Sequence, residues 1–266
     1  MEMQPQEETQ PMPMQYEQQP PPVYMEQPKT PLKGIFASLN TRVLKEPRGF
    51  MKILQFIFSI CAFATTTNFS SSFSFRVLCK GNQDNSTLIT EKIVYPFRID
   101  SIRTSYKVCG NSESLHLSGD FSSDAEFFVA VGVLAFLYVI GALVLYTLFS
   151  SIYDNNDLVP VVDCGAHVVF AILWLAGSSA WANSLTNLRM ATNVQTIIKE
   201  HDDFCGDNIC HSSKEPGFSG LYISIILGFL NVFLWASNLW FLYKETHFFK
   251  DKMNSDANAA NIPGAH

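Results

Sequence analysis

Four stretches of the chain carry almost no charge, and the charged residues lie between and around them. They cover residues 50–67 (FMKILQFIFSICAFATTT), 125–149 (AEFFVAVGVLAFLYVIGALVLYTLF), 161–182 (VVDCGAHVVFAILWLAGSSAWA) and 220–243 (GLYISIILGFLNVFLWASNLWFLY). A bilayer core of about 30 Å is crossed by ~20 apolar residues in a helix. Hydrocarbon offers backbone groups no water, so each stretch is predicted helical. Three entries carry start signals. Pro47 stands just before the first span. Ser123 and Glu126 form an S-x-x-E capping box for the second. Pro160 opens the third and places Asp163 in its first turn.

Within each span, small or polar residues recur at steps of three and four. The rows are Gln55, Ser59, Ala62, Thr66; then Gly132, Ala135, Val139, Ala142; then Asp163, His167, Phe170, Trp174, Gly177; then Ser224, Gly228, Asn231, Trp235, Asn238. Such rows are contact seams, where small side chains let helices approach and polar ones hydrogen-bond across. The fold expected is an all-α transmembrane four-helix bundle, with the large apolar residues turned to lipid. Ser224, Gly228, Asn231 and Asn238, together with Asp163 and His167, are the candidates for bundle packing and for a partner helix.

The connectors differ in kind. Residues 68–124 are too long and too patterned for a linker. Phe73, Phe75, Val77 and Cys79 alternate with polar neighbours, as do Ile93, Tyr95, Phe97 and Ile99, and then Leu115 and Leu117. Period two reads as strand, so a small β-rich cap is expected over the bundle. This connector holds Cys79 and Cys109, and residues 183–219 hold Cys205 and Cys210. Two cysteines per connector, both on one side, fit two disulfides in an oxidising lumen. Asn85-Ser86-Thr87 is a glycan acceptor sequence in the same connector. Asn68-Phe69-Ser70 also matches but abuts the membrane. Arg42, Lys45, Arg48 and Lys52 crowd the start of the first span, which favours a cytoplasmic N-terminus. The short connector around 150–160 has no Lys or Arg, against the usual rule.

Composition sharpens the outline. Only 16% of the 266 residues are charged, against about 25% in soluble domains. The net charge of −6 gives no footprint for nucleic acid. Residues 1–42 form a Pro/Gln-rich tail expected to be disordered and cytoplasmic, 43–246 the four-span domain, and 247–266 a short cytoplasmic tail. No apolar run precedes the first span, so that span is expected to act as its own targeting signal. In the tail, Pro21, Pro22 and Tyr24 belong to a PPxY string of the kind WW domains bind, set against the rate of chance matches in Pro-rich sequence.

Asp163 and His167 share a helical face, which raises a proton or ion relay. The simpler reading puts Asp163 at the membrane edge and lets His167 bond a neighbouring helix, because no deeper ionisable residue stands out. His201, Cys205, Cys210 and His211 are zinc-capable types, but the spacing is loose and a disulfide accounts for the cysteines. Cys61 and Cys164 are read as core residues, Cys164 with a weak case for palmitoylation. No nucleophile elbow, phosphate loop or zinc-protease motif occurs, so neither an enzyme nor a metal or cofactor site is expected.

KEPRGFMKILQ at the first span, CAFAT within it, YPFR at 95–98, GDFSSDAEFF entering the second span, SSAWA ending the third, RMAT opening the second long connector and GFLNVFLWASNLWFLYKET in the fourth resemble the synaptophysin family of MARVEL-type four-span proteins. The resemblance runs from about Val43 to Thr246. It implies two lumenal disulfides, Cys79–Cys109 and Cys205–Cys210, and residence on synaptic or secretory vesicles. It further implies homo-oligomers, bound cholesterol, and association with synaptobrevin in its sorting and retrieval. The family's long Tyr-Gly tail is missing, and the Pro/Gln extension is not part of the pattern; pantophysin-like and mitsugumin-like relatives share the core. Two rival classes are an oligomeric channel or transporter, which needs a row of polar residues deep in the spans, and a structural junction protein.

Overall fold

The chain divides into residues 1–38 and 39–266. The computed structural model describes residues 47–80, 86–148, 158–201, 205 and 209–245, all in the second unit. The PPxY string and Asn85 lie outside the described residues.

Among the described residues, four helices are long and apolar enough to cross a membrane. They are α1 (Pro47–Thr67), α2 (Ser122–Leu148), α3 (Leu158–Ala191) and, after the short α4 (Val194–Glu200), α5 (Ser219–Glu245). Three of them begin three residues earlier than their apolar windows, and α5 begins one residue earlier. This shifts two capping assignments. Ser123 lies inside α2, and the side chain at its entrance is Asp120, whose Oδ1 accepts from the Ser122 N–H at 2.9 Å. That bond also holds the Asp120 carboxyl below its usual range. Asp163 is the sixth residue of α3, one turn deeper than expected. At 34 residues α3 is also far longer than its window. About 1.5 Å per residue makes it ~50 Å long, so it outruns the hydrocarbon and carries Leu185 and Leu188, both fully buried, into the cap.

The helices form a ring in which α1 packs on α2 and α5, and α3 packs on α2 and α5. The seams face inward. Gln55, Ser59, Ala62 and Thr66 of α1, Ala135 and Val139 of α2, His167 and Trp174 of α3, and Ser224, Asn231, Trp235 and Asn238 of α5 all have no exposed surface. Leu134, Leu137, Ile172, Ile226 and Phe233 point outward, which suits a surface whose solvent is lipid. Cys61, expected in the core, is exposed on the outer face of α1.

Gly228 is a point of close approach of α5 to its neighbours. A Cβ there would stand 2.4 Å from Ser178 Oγ and 2.7 Å from Phe128 Cε2. The serine hydroxyl can turn away. The Phe128 ring cannot, because it is fully buried edge-on to Trp174 at 5.6 Å. Gly228→Ala is therefore expected to lose about 1–3 kcal/mol of stability by overpacking, read as thermal unfolding in detergent. The double variant Gly228→Ala/Phe128→Leu should recover part of it.

At one end the two long connectors build a joint cap. β1 (Ser70–Leu78) pairs with β2 (Ser86–Val94) from Ser70↔Val94 to Leu78↔Ser86. The opposite edge of β1 pairs with β5 (Ile209–Lys214) of the second connector, with Val77 opposite Cys210. A separate hairpin joins β3 (Arg103–Val108) to β4 (Asn111–His116). Phe73, Phe75 and Val77 are fully buried, as their alternation predicts. The second predicted strand ends at Val94 rather than running on to Ile99. There Tyr95 and Pro96 turn the chain, and Phe97 adopts a left-handed backbone with φ 71°. Left-handed backbone at a non-glycine residue costs on the order of 1–3 kcal/mol. Burying the Phe97 ring against Trp181, 5.2 Å between centroids, offsets that cost. Trp181 in turn donates to Ser224 Oγ at 3.0 Å. The YPFR and SSAWA motifs thus meet where cap joins bundle.

Candidate functional site

Asp163 is the centre of a buried cluster fed by all four long helices. α1 contributes Lys52, α2 contributes Tyr138 and Tyr146, α3 contributes Asp163 and His167, and α5 contributes Trp235 and Asn238. Lys52 Nζ donates to Asp163 Oδ1 at 3.0 Å and to His167 Nε2 at 3.2 Å. The lysine and the histidine have no exposed surface, and Asp163 has 6%. The Tyr138 hydroxyl donates to Asp163 Oδ1 and the Tyr146 hydroxyl to Oδ2.

The histidine's hydrogens follow from its partners. Nδ1 faces the Asp163 main-chain carbonyl at 2.8 Å, an acceptor, so Nδ1 carries the hydrogen. Nε2 then accepts from Lys52 and from Asn238 Nδ2 at 2.9 Å. A second N–H at Nε2 would oppose two donors. Aromatic rings close the site. The ammonium lies 4.9 Å from the Tyr138 centroid and 6.0 Å from that of Trp235. The imidazole and Trp235 centroids are 4.9 Å apart.

Taking a lysine and an aspartate out of water costs several kcal/mol per ion, which their attraction repays only with good geometry and further hydrogen bonds. Both conditions are met here. The link also does what packing along the ring does not. Lys52 on α1 reaches Asp163 on α3, and these helices are diagonal in the bundle. The arrangement is a four-helix clamp of one positive and one negative charge.

Among the described residues, six buried polar atoms have no hydrogen-bond partner: both Gln55 amide atoms, Trp174 Nε1, Trp235 Nε1, Ser178 Oγ and Asn238 Oδ1. With Ser59, which donates to Asn231 Oδ1 at 3.4 Å, they make the spans' interior more polar than the apolar windows suggest. The fully buried rings of Trp174, Trp181, Trp235 and Phe128 fill the space among them.

Beside the clamp, a cavity of about 410 Å³ lies between α2 and α3. Gly141, Ala142, Leu145 and Val162 line it, with Tyr138, Tyr146 and Asp163 also on its wall.

Sequence reasoning placed Asp163 and His167 on one face and missed their partners. Lys52 was assigned to the membrane-flanking charges, yet it is buried as deeply as any seam residue. The signal was present: 52 continues the row 55, 59, 62, 66 by one step of three, and 146 continues 132, 135, 139, 142 by one step of four. Asp163 accordingly sits in the bundle, its carboxylate held by Lys52, Tyr138 and Tyr146 and 3.3 Å from His167 Nδ1. All of Ser224, Gly228, Asn231, Asn238, Asp163 and His167 face the chain's own interior, so a partner helix would meet the outer faces instead. Cys79 is bonded to Cys109, and Cys205 to Cys210. The second disulfide removes both thiolates from any zinc set. His201 bonds two carbonyls, and His211 sits opposite Arg76 in the sheet. Because β5 hydrogen-bonds to β1, both disulfides stand at the same end of the bundle. A family model described as the MARVEL membrane-associating domain matches residues 43–241.

Proposed function

From the premise that this chain belongs to the MARVEL family of membrane-associating domains, we propose that it is a synaptophysin-like organiser of synaptic or secretory vesicle membranes, with both termini cytoplasmic. The observation that carries this reading is the pairing of β1 with β5 beneath two disulfides. A jointly stapled cap holds four helices in one arrangement, and that suits a scaffold for lateral contacts more than a catalyst. Oxidised cysteines at one end fit a lumenal cap. The clamp at the other end fixes the diagonal of the bundle.

The partners follow from the resemblance and the outer surface. Synaptobrevin-type SNARE proteins and further copies of the chain would dock on outward faces such as Ile226, Phe229 and Phe233 of α5. Cholesterol, the lipid expected of the family, is assigned to the α2–α3 cavity, where Gly141, Ala142, Leu145 and Val162 offer apolar wall. No catalytic role enters this reading.

The test is recovery of synaptobrevin with the tagged protein from mild detergent, alongside localisation against a vesicle marker. Synaptobrevin is expected well above an unrelated vesicle protein, and Phe233→Ser, on the outer face, should reduce it. Recovery no better than the unrelated protein overturns the partner assignment. Orientation is read separately: glycosidase should shift the protein on a gel, and Asn85→Gln should abolish the shift.

A further inference from the structure

A second cavity, of about 330 Å³, opens where the cap meets the bundle. Its wall is built by Arg189 near the end of α3, Asn193 just before α4, and Glu215, Pro216 and Phe218 between β5 and α5. That size falls within the ~300–1,000 Å³ of small-ligand clefts. The helices fix its depth. Arg189 stands two residues before the cap-side end of the third span, and its Nη1 donates at 3.3 Å to the hydroxyl of Tyr222, three residues after the start of the fourth. Both spans meet the hydrocarbon edge here, the depth at which tyrosine gathers in membrane proteins. Met190 and Ile223, next to them in sequence, are exposed.

The wall carries both signs of charge. Arg189 and Glu215 line one cavity, yet each is held by bonds of its own rather than by the other. The Glu215 carboxylate accepts from Ser212 Oγ at 2.9 Å and from the Val194 N–H at 3.4 Å. Arg189 gives one guanidinium N–H to Tyr222 and keeps the rest of its fork. Asn193 turns Oδ1 to the Gln195 and Thr196 amides, which leaves its Nδ2 as a donor. Donors for an anion and a carboxylate for an ammonium thus share one space at headgroup level. We propose that this cavity binds the zwitterionic headgroup of a phospholipid in the leaflet on the cap side, its phosphate on Arg189 and Asn193 and its ammonium on Glu215. A guanidinium takes phosphate oxygens in bidentate fashion. Ethanolamine fits better than choline, because only a primary ammonium has N–H groups to give Glu215. The depth of the site, with Met190 and Ile223 beside it for the acyl chains, favours a lipid over a soluble zwitterion. A lipid so held ties α3 to the turn between β5 and α5, across the join of cap and bundle.

Native mass spectrometry of the purified full chain in detergent, titrated with dioleoyl phosphatidylethanolamine, counts the bound lipid. One lipid per chain is expected to bind about tenfold more tightly than dioleoyl phosphatidylglycerol, which has the phosphate but no ammonium, the scale of one hydrogen bond to a charged group. That comparison needs no variant. Arg189→Gln should weaken binding of both lipids about tenfold on the same scale. Glu215→Gln keeps an acceptor oxygen for Ser212 and Val194, so it should erase the preference and spare phosphatidylglycerol. Arg103→Gln, exposed on β3 and not part of the wall, should change neither. Equal affinity for the two lipids in the unaltered protein, a preference that survives Glu215→Gln, or undiminished binding in Arg189→Gln would each overturn the site. Displacement by an equal concentration of glycerophosphoethanolamine, the same headgroup without chains, would make the ligand a soluble zwitterion and overturn the lipid assignment.

Discussion

Lys52→Met is expected to destabilise the bundle by about 3–5 kcal/mol, the usual effect of removing one partner from a buried ion pair. Methionine matches the length of the lysine stem, so little volume is lost. What changes is the charge. Asp163 keeps its two tyrosine hydroxyls but loses the ammonium that balances it. His167 Nε2 keeps only Asn238. A carboxylate is then held among Trp235, Tyr138 and Tyr146, in a bundle whose outer faces are apolar. The diagonal tie between α1 and α3 is lost with it. The double variant Lys52→Met/Asp163→Leu removes both charges and should regain most of the loss, because a buried pair replaced by apolar residues is often neutral. Thermal or denaturant unfolding followed by helical circular dichroism in detergent measures both. A Lys52→Met protein within about 1 kcal/mol of the parent, the scale of an exposed pair, would mean that the clamp carries no weight.

Removing the Cys79–Cys109 disulfide by paired serine substitution is expected to cost the cap ~3–4 kcal/mol. The bond spans 30 residues of chain, and the chain-entropy relation assigns roughly that stabilisation to a loop of such size. The effect should be local in one sense and not in another. The four spans are held by their own seams, so helix content should persist. β1, however, is the central strand, with β2 on one edge and β5 on the other. Loosening β1 therefore frees β5, and the second connector should lose exchange protection although its own disulfide is intact. The pair Cys205–Cys210, five residues apart, should cost less when removed, ~2 kcal/mol by the same relation. Equal protection of β5 in the parent and in the Cys79→Ser/Cys109→Ser variant would show that the two connectors are stabilised independently.

The cap also shows where reading by alternation stops. Phe73, Phe75 and Val77 were legible because every second residue of β1 is apolar. β3 was not, since Arg103–Val108 reads RTSYKV, with one long apolar residue and a tyrosine. Tyr106 is held there by a long-range bond, its hydroxyl donating to Glu91 Oε1 at 2.9 Å. Burial and that carboxylate push its phenol up to about 12. Neither partner is near in sequence, so no window could reveal it. β5 was missed for a related reason: it reads ICHSSK and is mostly exposed. It is a strand because β1 offers it an unpaired edge.

The four spans, their inward faces and the cysteine-bearing ends were written in the chain itself. A helix in lipid must satisfy its own backbone, and its small or polar stripe must turn from hydrocarbon; both demands act on one helix at a time. Which stripe meets which was decided only in three dimensions. Lys52 belongs with Asp163, 111 residues away, because folding sets α1 and α3 across a diagonal that neither helix encodes alone. A lysine near a membrane edge has two ways to avoid hydrocarbon, water outside or a carboxylate inside. The second exists only once α2, α3 and α5 have brought Tyr138, Tyr146, Asp163, His167 and Asn238 around it.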